Sequence, residues 1–452
     1  MKKPLITLLA LIISASQLIT VNAAYIPQNI QQQADALHLD AQSAILIDAT
    51  TGDVLYGKDI DKAQYPASIT KLMTVLLALE HGDLDETIHF SKDAIFSIEP
   101  GSSNIAIDAD EEITMRQGLY AILLQSANEV SNGVAEHIDG TMDDFAKHMT
   151  SRAKELGCTN TSFVNANGLH NENHYTSAHD MALIAKELLK FDFFKELMLT
   201  TYYEIPPTNK QTETRYLYGQ NQLIKSSSIF YYENCIGGKT GFTNEAGNTI
   251  VAYAKKGDTT LISVVLKSTG YGEYYDTIAL FDFGFENFET KNLAKKGDIC
   301  NTVNVTKKTQ IGSNDLGTIN AVYKDNVAVS LPKGFAIDNV TTSENLPKTL
   351  EAPVTIGQDL GTATFAINGE EIASANIVSE NQLPPLTDTG SVNANALQSN
   401  TTKPISIRFI VAFLGAIVVM LGVARFSLNK IRYTRKKRIR KARISKLRDT
   451  IK

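Results

Sequence analysis

Three short motifs in this 452-residue chain bring together side chains that do chemistry. Ser68-Ile69-Thr70-Lys71 opens a strongly helical stretch. Its spacing of three sets a hydroxyl and an amine on one helix face, a turn apart. The N–H groups of a helix start also favour negative charge developing near Ser68. Ser126-Ala127-Asn128 closes a second helical stretch. Lys239-Thr240-Gly241 follows Gly237-Gly238 at a strand edge, where a cation and a hydroxyl can line a cleft and Gly241 admits close approach of a backbone. Each motif alone is ordinary, because Ser caps helices, Lys coats surfaces, and Ser and Asn form turns.

The elements that must position them are legible from hydrophobic period and turn residues. Ala44–Asp48 and Asp53–Tyr56 flank Thr51-Gly52 as a hairpin. Helical periods run over Thr70–His81, Met115–Ala127, Met142–Leu156 and Ser177–Leu189. Asn248–Ala254 and Thr260–Leu266 read as paired strands about Lys256-Gly257-Asp258. The body is therefore helix-rich with a late antiparallel sheet, and covers residues 24–286. Residues 287–373 change to short Val/Thr/Ile strands with Gly and Asn turns, the pattern of a separate all-β domain.

Composition narrows the class further. Apolar residues make up 43% of the chain and charged ones 20%, enough for a real core. Three cysteines, none in CxxC spacing, exclude a disulfide scaffold, a zinc ribbon and a thioredoxin motif. The net charge of -6 conceals an asymmetry: residues 408–452 carry +13 and residues 1–407 carry -19. An acidic body is unsuited to nucleic acid, and the split points to a membrane.

Both termini agree. Lys2-Lys3, an uncharged Leu5–Leu18 core and the small-residue site Val21-Asn22-Ala23 read as a signal peptide over residues 1–23. Residues 405–428 form an almost uncharged run of about 24 residues, roughly 36 Å of helix. Arg408 and Arg425 stand where their stems can snorkel to headgroups. The basic tail 429–452 places that end in the cytoplasm and the body outside. Between domain and anchor, residues 374–404 are rich in Asn, Ser, Thr and Pro and read as a flexible stalk. Leu383-Pro384-Pro385-Leu386-Thr387 lacks the Thr-Gly of a sortase signal at the right offset, which argues against covalent wall attachment.

Taken in order, S-x-x-K, S-x-N and K-T-G resemble the signature of penicillin-binding proteins and class A β-lactamases. The likeness extends to Leu46–Tyr56, Tyr65–Thr74, Asn167-Gly168-Leu169, His179–Ala182 and Lys239–Thr243 with Ala246-Gly247. It is similar to the serine D-alanyl-D-alanine carboxypeptidases over about residues 41–373. That resemblance implies an α+β chain: a β-lactamase/transpeptidase-like domain with an antiparallel sheet flanked by helices, the small all-β domain, and a C-terminal transmembrane helix. It implies peptidoglycan stem pentapeptide as substrate and β-lactams as covalent inhibitors, with neither metal nor other cofactor.

A serine hydroxyl needs a base, and the set supplies no His or carboxylate at a matching position. Lys71 serves only if burial and the nearby Lys239 keep it neutral. The resemblance assigns Ser68 as nucleophile and Ser126 as proton relay to the leaving amine. It gives the oxyanion to the N–H groups of Ser68 and Phe242, the peptide carbonyl to Asn128, and the terminal carboxylate to Lys239 and Thr240. Where many relatives carry an Arg, this sequence aligns Glu273, with Lys267 as the substitute cation. Alternatives within reach are a D,D-endopeptidase, a class A-like β-lactamase and an inactive wall-binding or sensor module. The β-lactamase reading wants an E-x-x-L-N glutamate between Ser126 and Lys239, and none is present. His170-Asn171-Glu172-Asn173-His174 has the wrong spacing for HExxH zinc and reads as loop.

Overall fold

The structure, a computed structural model, describes residues 25–309 and 312–383. Strand β1 (Ser43–Asp48) alternates with period two: Ile45 and Ile47 enter one apolar core, Ala44 and Leu46 the other. It pairs with β2 (Val54–Lys58) around the expected Thr51-Gly52 turn. After an excursion through helices and a hairpin of β3 (Tyr202–Ile205) and β4 (Arg215–Tyr218), the chain returns as β5 (Cys235–Thr243), β6 (Gly247–Lys256) and β7 (Thr259–Ser268). The main sheet runs β2-β1-β7-β6-β5, antiparallel throughout. Strand β5, which holds K-T-G, is thus an edge strand.

Helices cover both faces, which is why strands such as β7 read as nearly continuous apolar runs. On one side Val251, Tyr253, Ile262, Val264 and Leu266 meet α1 (Lys71–His81), α2 (Met115–Leu124), α3 (Asn128–Asp139), α4 (Met142–Glu155) and α5 (Ala178–Leu188). On the other, Ile250, Ala252, Leu261 and Val265 pack under Leu280 and Phe281 of α6 (Gly272–Asn287). Side-chain caps start three of these helices: Thr114 with Gln117 as a capping box for α2, Thr141 for α4 and Ser177 for α5. Helix α1 has no side-chain cap; it grows out of a 3-10 turn, Ala67–Thr70. The Ser68 hydroxyl therefore does not serve as a cap.

Between Phe288 and Leu383 the described residues are β apart from one 3-10 turn, Ile337–Asn339. Strands β8 (Phe288–Ala294) and β11 (Val327–Pro332) pair beside a six-stranded sheet that includes β9 (Ile299–Thr309) and β10 (Gly312–Tyr323). Strands at Thr341–Asn345, Thr349–Glu351, Asp359–Ile367 and Glu370–Ser379 complete it. Its core holds Val303, Val305, Ile319, Phe365 and Ile377. The layout is α+β in two domains.

One boundary needs correction. Residues 374–379, expected to begin the stalk, lie in the last strand, where Ile377, Val378 and Ser379 are buried. The Asn, Ser and Ala of Ser374–Asn376 look like linker by composition, yet they pair with Thr362–Thr364. Among the described residues no helix is long and apolar enough to cross a membrane. The signal peptide (1–23), the stalk beyond residue 383, the anchor (405–428) and the tail (429–452) lie outside the described residues.

Candidate active site

The turn before α1 is held in an unusual conformation. Ala67 has φ +51°, in the left-handed region that costs a side-chain-bearing residue about 1 kcal/mol or more. Two glycines make room for it. Gly168 has φ +84°, and a Cβ there would lie 2.0 Å from the Ala67 carbonyl oxygen. A Cβ on Gly241 would lie 2.7 Å from the Ser68 nitrogen and 3.1 Å from Ala67 Cβ. Gly241 therefore lets the edge strand lie against the Ser68 N–H itself. Thr249 in β6 fastens the same turn by donating to the Pro66 carbonyl at 2.9 Å.

Lys71, in the first turn of α1, is fully buried. Its Nζ lies 3.1 Å from Ser68 Oγ, 2.7 Å from Asn128 Oδ1 and 2.5 Å from the Asn167 carbonyl oxygen. Burial and then the Lys239 charge hold this amine well below the usual lysine range, while Glu129 acts in the opposite sense. A neutral amine donates two hydrogens and accepts one. Asn128 Oδ1 and Asn167 O take the two, leaving the lone pair for the Ser68 hydroxyl proton.

Ser126 sits between α2 and α3 at φ +58°, buried, and its Oγ has no hydrogen-bond partner. Such an orphaned hydroxyl costs roughly 1–3 kcal/mol, so its place is set by the strained corner rather than by its own bonding. The next turn is pinned from a neighbouring loop: the Asn128 N–H donates to Ser103 O at 2.8 Å. Glu129, also buried, accepts from the Ile105 N–H at 2.7 Å, and burial raises its carboxyl above the usual range.

Lys239 is buried on β5, and burial brings its amine down to about 7. Its Nζ donates to Thr240 O at 2.7 Å. Thr240 and Gly241 are half-buried beside it, and Phe242 is exposed. The fold thus gathers all three motifs on the open edge of one sheet. Glu273 and Lys267 do not join them closely. Glu273 is buried in the first turn of α6, where desolvation, then the charges of Asp276 and Asp40, bring its carboxyl to about 6. Lys267 Nζ donates to Glu245 O at 2.9 Å.

The sequence reading gave no role to Asn167, quoted only for its likeness to the family and contributing a carbonyl, nor to His174, read as loop. His174 is buried under the turn: the Val164 N–H donates to Nδ1 at 3.1 Å, so Nε2 carries the proton and donates to Thr70 Oγ1 at 2.8 Å. Burial, the largest cause, brings it down to about 3. Both ring nitrogens are engaged within the protein, so this histidine supports the turn that carries Ser68.

A hydroxyl free of capping duty, beside a buried amine held well below the usual lysine range, is the arrangement of a serine hydrolase. Residues 29–270 match the Peptidase_S11 family, D-alanyl-D-alanine carboxypeptidase, and residues 288–384 match the penicillin-binding protein 5 C-terminal domain. The chain belongs to this D-alanyl-D-alanine carboxypeptidase family. It is 33% identical to the D-alanyl-D-alanine carboxypeptidase DacF of Bacillus subtilis, covering 85% of this chain and 95% of that one. It is 31% identical to DacC of Escherichia coli, over 77% of this chain and 85% of the relative. The solved structure of penicillin binding protein 5 from Haemophilus influenzae superposes with a TM-score of 0.66 at 28% identity, covering 77% of this chain and 99% of that one.

Proposed function

We propose that this carboxypeptidase removes the terminal D-alanine from peptidoglycan stem pentapeptides, with Ser68 as nucleophile. The observation that carries the reading is the Lys71 amine, buried, held 3.1 Å from Ser68 Oγ and shifted toward its neutral form. Ser68 Oγ attacks the carbonyl of the penultimate D-alanine as Lys71 takes its proton. The N–H groups of Ser68 and Phe242 receive the developing oxyanion. The C–N bond then breaks, and the leaving amine receives a proton through the unpartnered hydroxyl of Ser126. The resulting ester is hydrolysed by water, with Lys71 again accepting a proton, which restores Ser68.

Asn128 uses its Oδ1 on Lys71, which leaves its Nδ2 hydrogens for a substrate carbonyl. Lys239 and Thr240 take the free carboxylate by charge-assisted hydrogen bonds. β-Lactams acylate the same hydroxyl. The body works outside the cell, exported by residues 1–23 and tethered through residues 405–428. Protease added to intact protoplasts should remove the body and leave a fragment containing residues 409–452.

The test of the reaction is free D-alanine released from a pentapeptide ending in D-Ala-D-Ala, alongside labelling by penicillin. Ser68→Ala should abolish both. Label retained on another residue would remove Ser68 from the role. Turnover unchanged when the terminal carboxylate is amidated would replace the carboxypeptidase reading with an endopeptidase.

A further inference from the structure

The β3–β4 hairpin presents a face that the reaction does not use. Its inward positions are conventional: Ile205 and Leu217 are buried, and Tyr203 stacks on Tyr120 with ring centroids 3.9 Å apart. Outward positions of a solvent-facing hairpin are ordinarily polar and small. Here they are Tyr202, Tyr216 and Tyr218, respectively 41%, 56% and 59% exposed, together with exposed Glu204. Tyr202 lies opposite Tyr218 and Glu204 opposite Tyr216. The Tyr202 ring is 5.1 Å from that of Tyr218 and 6.4 Å from that of Tyr216, and its hydroxyl donates to Glu204. Exposed aromatic groups gathered on one face mark interaction sites.

The hairpin that carries this face is fastened to the segments beside the cleft. Gln125, the residue before Ser126, donates to Tyr218 O at 2.9 Å. Arg215, on the same hairpin, makes a buried two-pronged ion pair with Glu111 at 2.6 and 2.9 Å. It also donates to Ala106 O at 2.6 Å, next to the Ile105 that binds Glu129. The hairpin is therefore fixed from both sides to the segments that set Ser126 and Asn128.

We infer that this tyrosine face binds the saccharide chain that carries the stem peptide. The inference rests on the carboxypeptidase reading above. A pyranose ring offers weakly positive C–H groups on its face and hydroxyl and acetamido hydrogens at its rim. Tyrosine rings are electron-rich on their faces, and their hydroxyls and the Glu204 carboxylate accept at the edge. The outward positions carry a carboxylate and no cation, which disfavours an anionic lipid surface.

The test uses the full chain and two substrates: the free pentapeptide and uncrosslinked glycan fragments bearing it. Tyr216→Ala with Tyr218→Ala should raise KM for the glycan-borne peptide roughly tenfold. The free peptide, kcat and the rate of penicillin labelling should stay unchanged, the last showing that the variant is folded. Tyr216→Phe with Tyr218→Phe should stay near wild type. Equal change on both substrates, or none on either, overturns the inference. Calorimetric titration with peptide-free N-acetylglucosamine oligomers separates it from the carboxypeptidase reading, because it needs no turnover. Saturable binding lost in the alanine pair supports the inference. No binding by wild type, or tyrosine-dependent binding only to anionic vesicles, overturns it.

Discussion

The β domain fills its core with Val303, Val305, Ile319, Phe365 and Ile377, and among its described residues the buried polar side chains are Ser330 and Ser379. The catalytic domain, built on the same period-two strands, buries Lys71, Lys239, Glu129 and His174 around one cleft. Removing a charge from water costs several kcal/mol unless it is paired or neutralised. At Lys71 that cost holds the amine well below the usual lysine range, the direction a general base requires, whereas Lys239, brought down to about 7, keeps part of its charge at neutral pH. The β domain has no such demand and shows what this chain builds when packing alone decides. Function and stability thus pull apart in one domain and not in the other, and five substitutions test where that divergence lies.

The largest effect should fall on Lys71. Arginine keeps the charge but does not deprotonate at accessible pH. Lys71→Arg should slow penicillin acylation by about a thousandfold or more, some 4 kcal/mol in barrier. Stopped-flow acylation within about tenfold of wild type would remove Lys71 as the proton acceptor.

Lys239 should show the opposite sign in stability. Its folded value, about 7, lies below the ordinary lysine value of 10.5. Between those values the unfolded chain binds a proton that the folded chain lacks, so stability rises with pH through that window. Below about 7 the full penalty applies. Lys239→Met should therefore stabilise the protein by roughly 3 kcal/mol at neutral pH, after allowing for the lost bond to Thr240 O. The gain should vanish toward pH 10.5, and D-alanine release should collapse with it. A variant less stable than wild type in urea at pH 7 would show that this core does not penalise the lysine charge.

The chemistry of this contrast was legible in the sequence further than its geometry. Side-chain types at fixed spacing expose Ser68 with Lys71, because both lie on one helical turn. They do not expose the Asn167 carbonyl, since every residue has one and only the fold selects it. Nor do they expose the left-handed Ala67, whose strain is permitted by Gly168 and Gly241 from distant parts of the chain. His174 was hidden for a related reason: Asn- and Gly-rich neighbours imply a loop, and a loop residue buried by tertiary packing looks no different in sequence. In the β domain the same limit appears at Ser374–Ser379, where polar composition outweighed the pairing that the partner strand supplies.

His174 makes the support of the nucleophile turn measurable. Its folded value of about 3 lies below the ordinary 6.5. The unfolded chain therefore takes up a proton first as pH falls, and stability present above 6.5 is lost from there down to about 3. Between pH 6.5 and 5 this group should contribute a loss of about 2 kcal/mol. His174→Asn keeps an acceptor for the Val164 N–H but does not titrate, so it should flatten that part of the pH–stability curve even if its absolute stability is lower. An unchanged slope would assign the acid sensitivity elsewhere.

The smallest effect belongs to the seam between the two cores. Ser330 of β11 places its hydroxyl 3.1 Å from both Asp48 Oδ2 and Thr51 Oγ1, and its N–H donates to Asp53 at 2.9 Å. Thr290 of β8 reaches Asp48 from the same side at 2.5 Å. The β domain therefore meets the catalytic domain at the β1–β2 turn, while Ser68 is set against the edge strand β5. Ser330→Ala removes one hydroxyl but keeps the backbone bond to Asp53, and Thr290 still serves Asp48. The expected cost is about 1 kcal/mol of stability, with penicillin acylation and D-alanine release unchanged. Because Asp48 retains its bond from Thr290, pairing Ser330→Ala with Thr290→Val should cost more than the sum of the two single changes. If either seam variant slowed acylation, the two domains would be coupled through the sheet to the cleft, and the separation of roles argued above would fail.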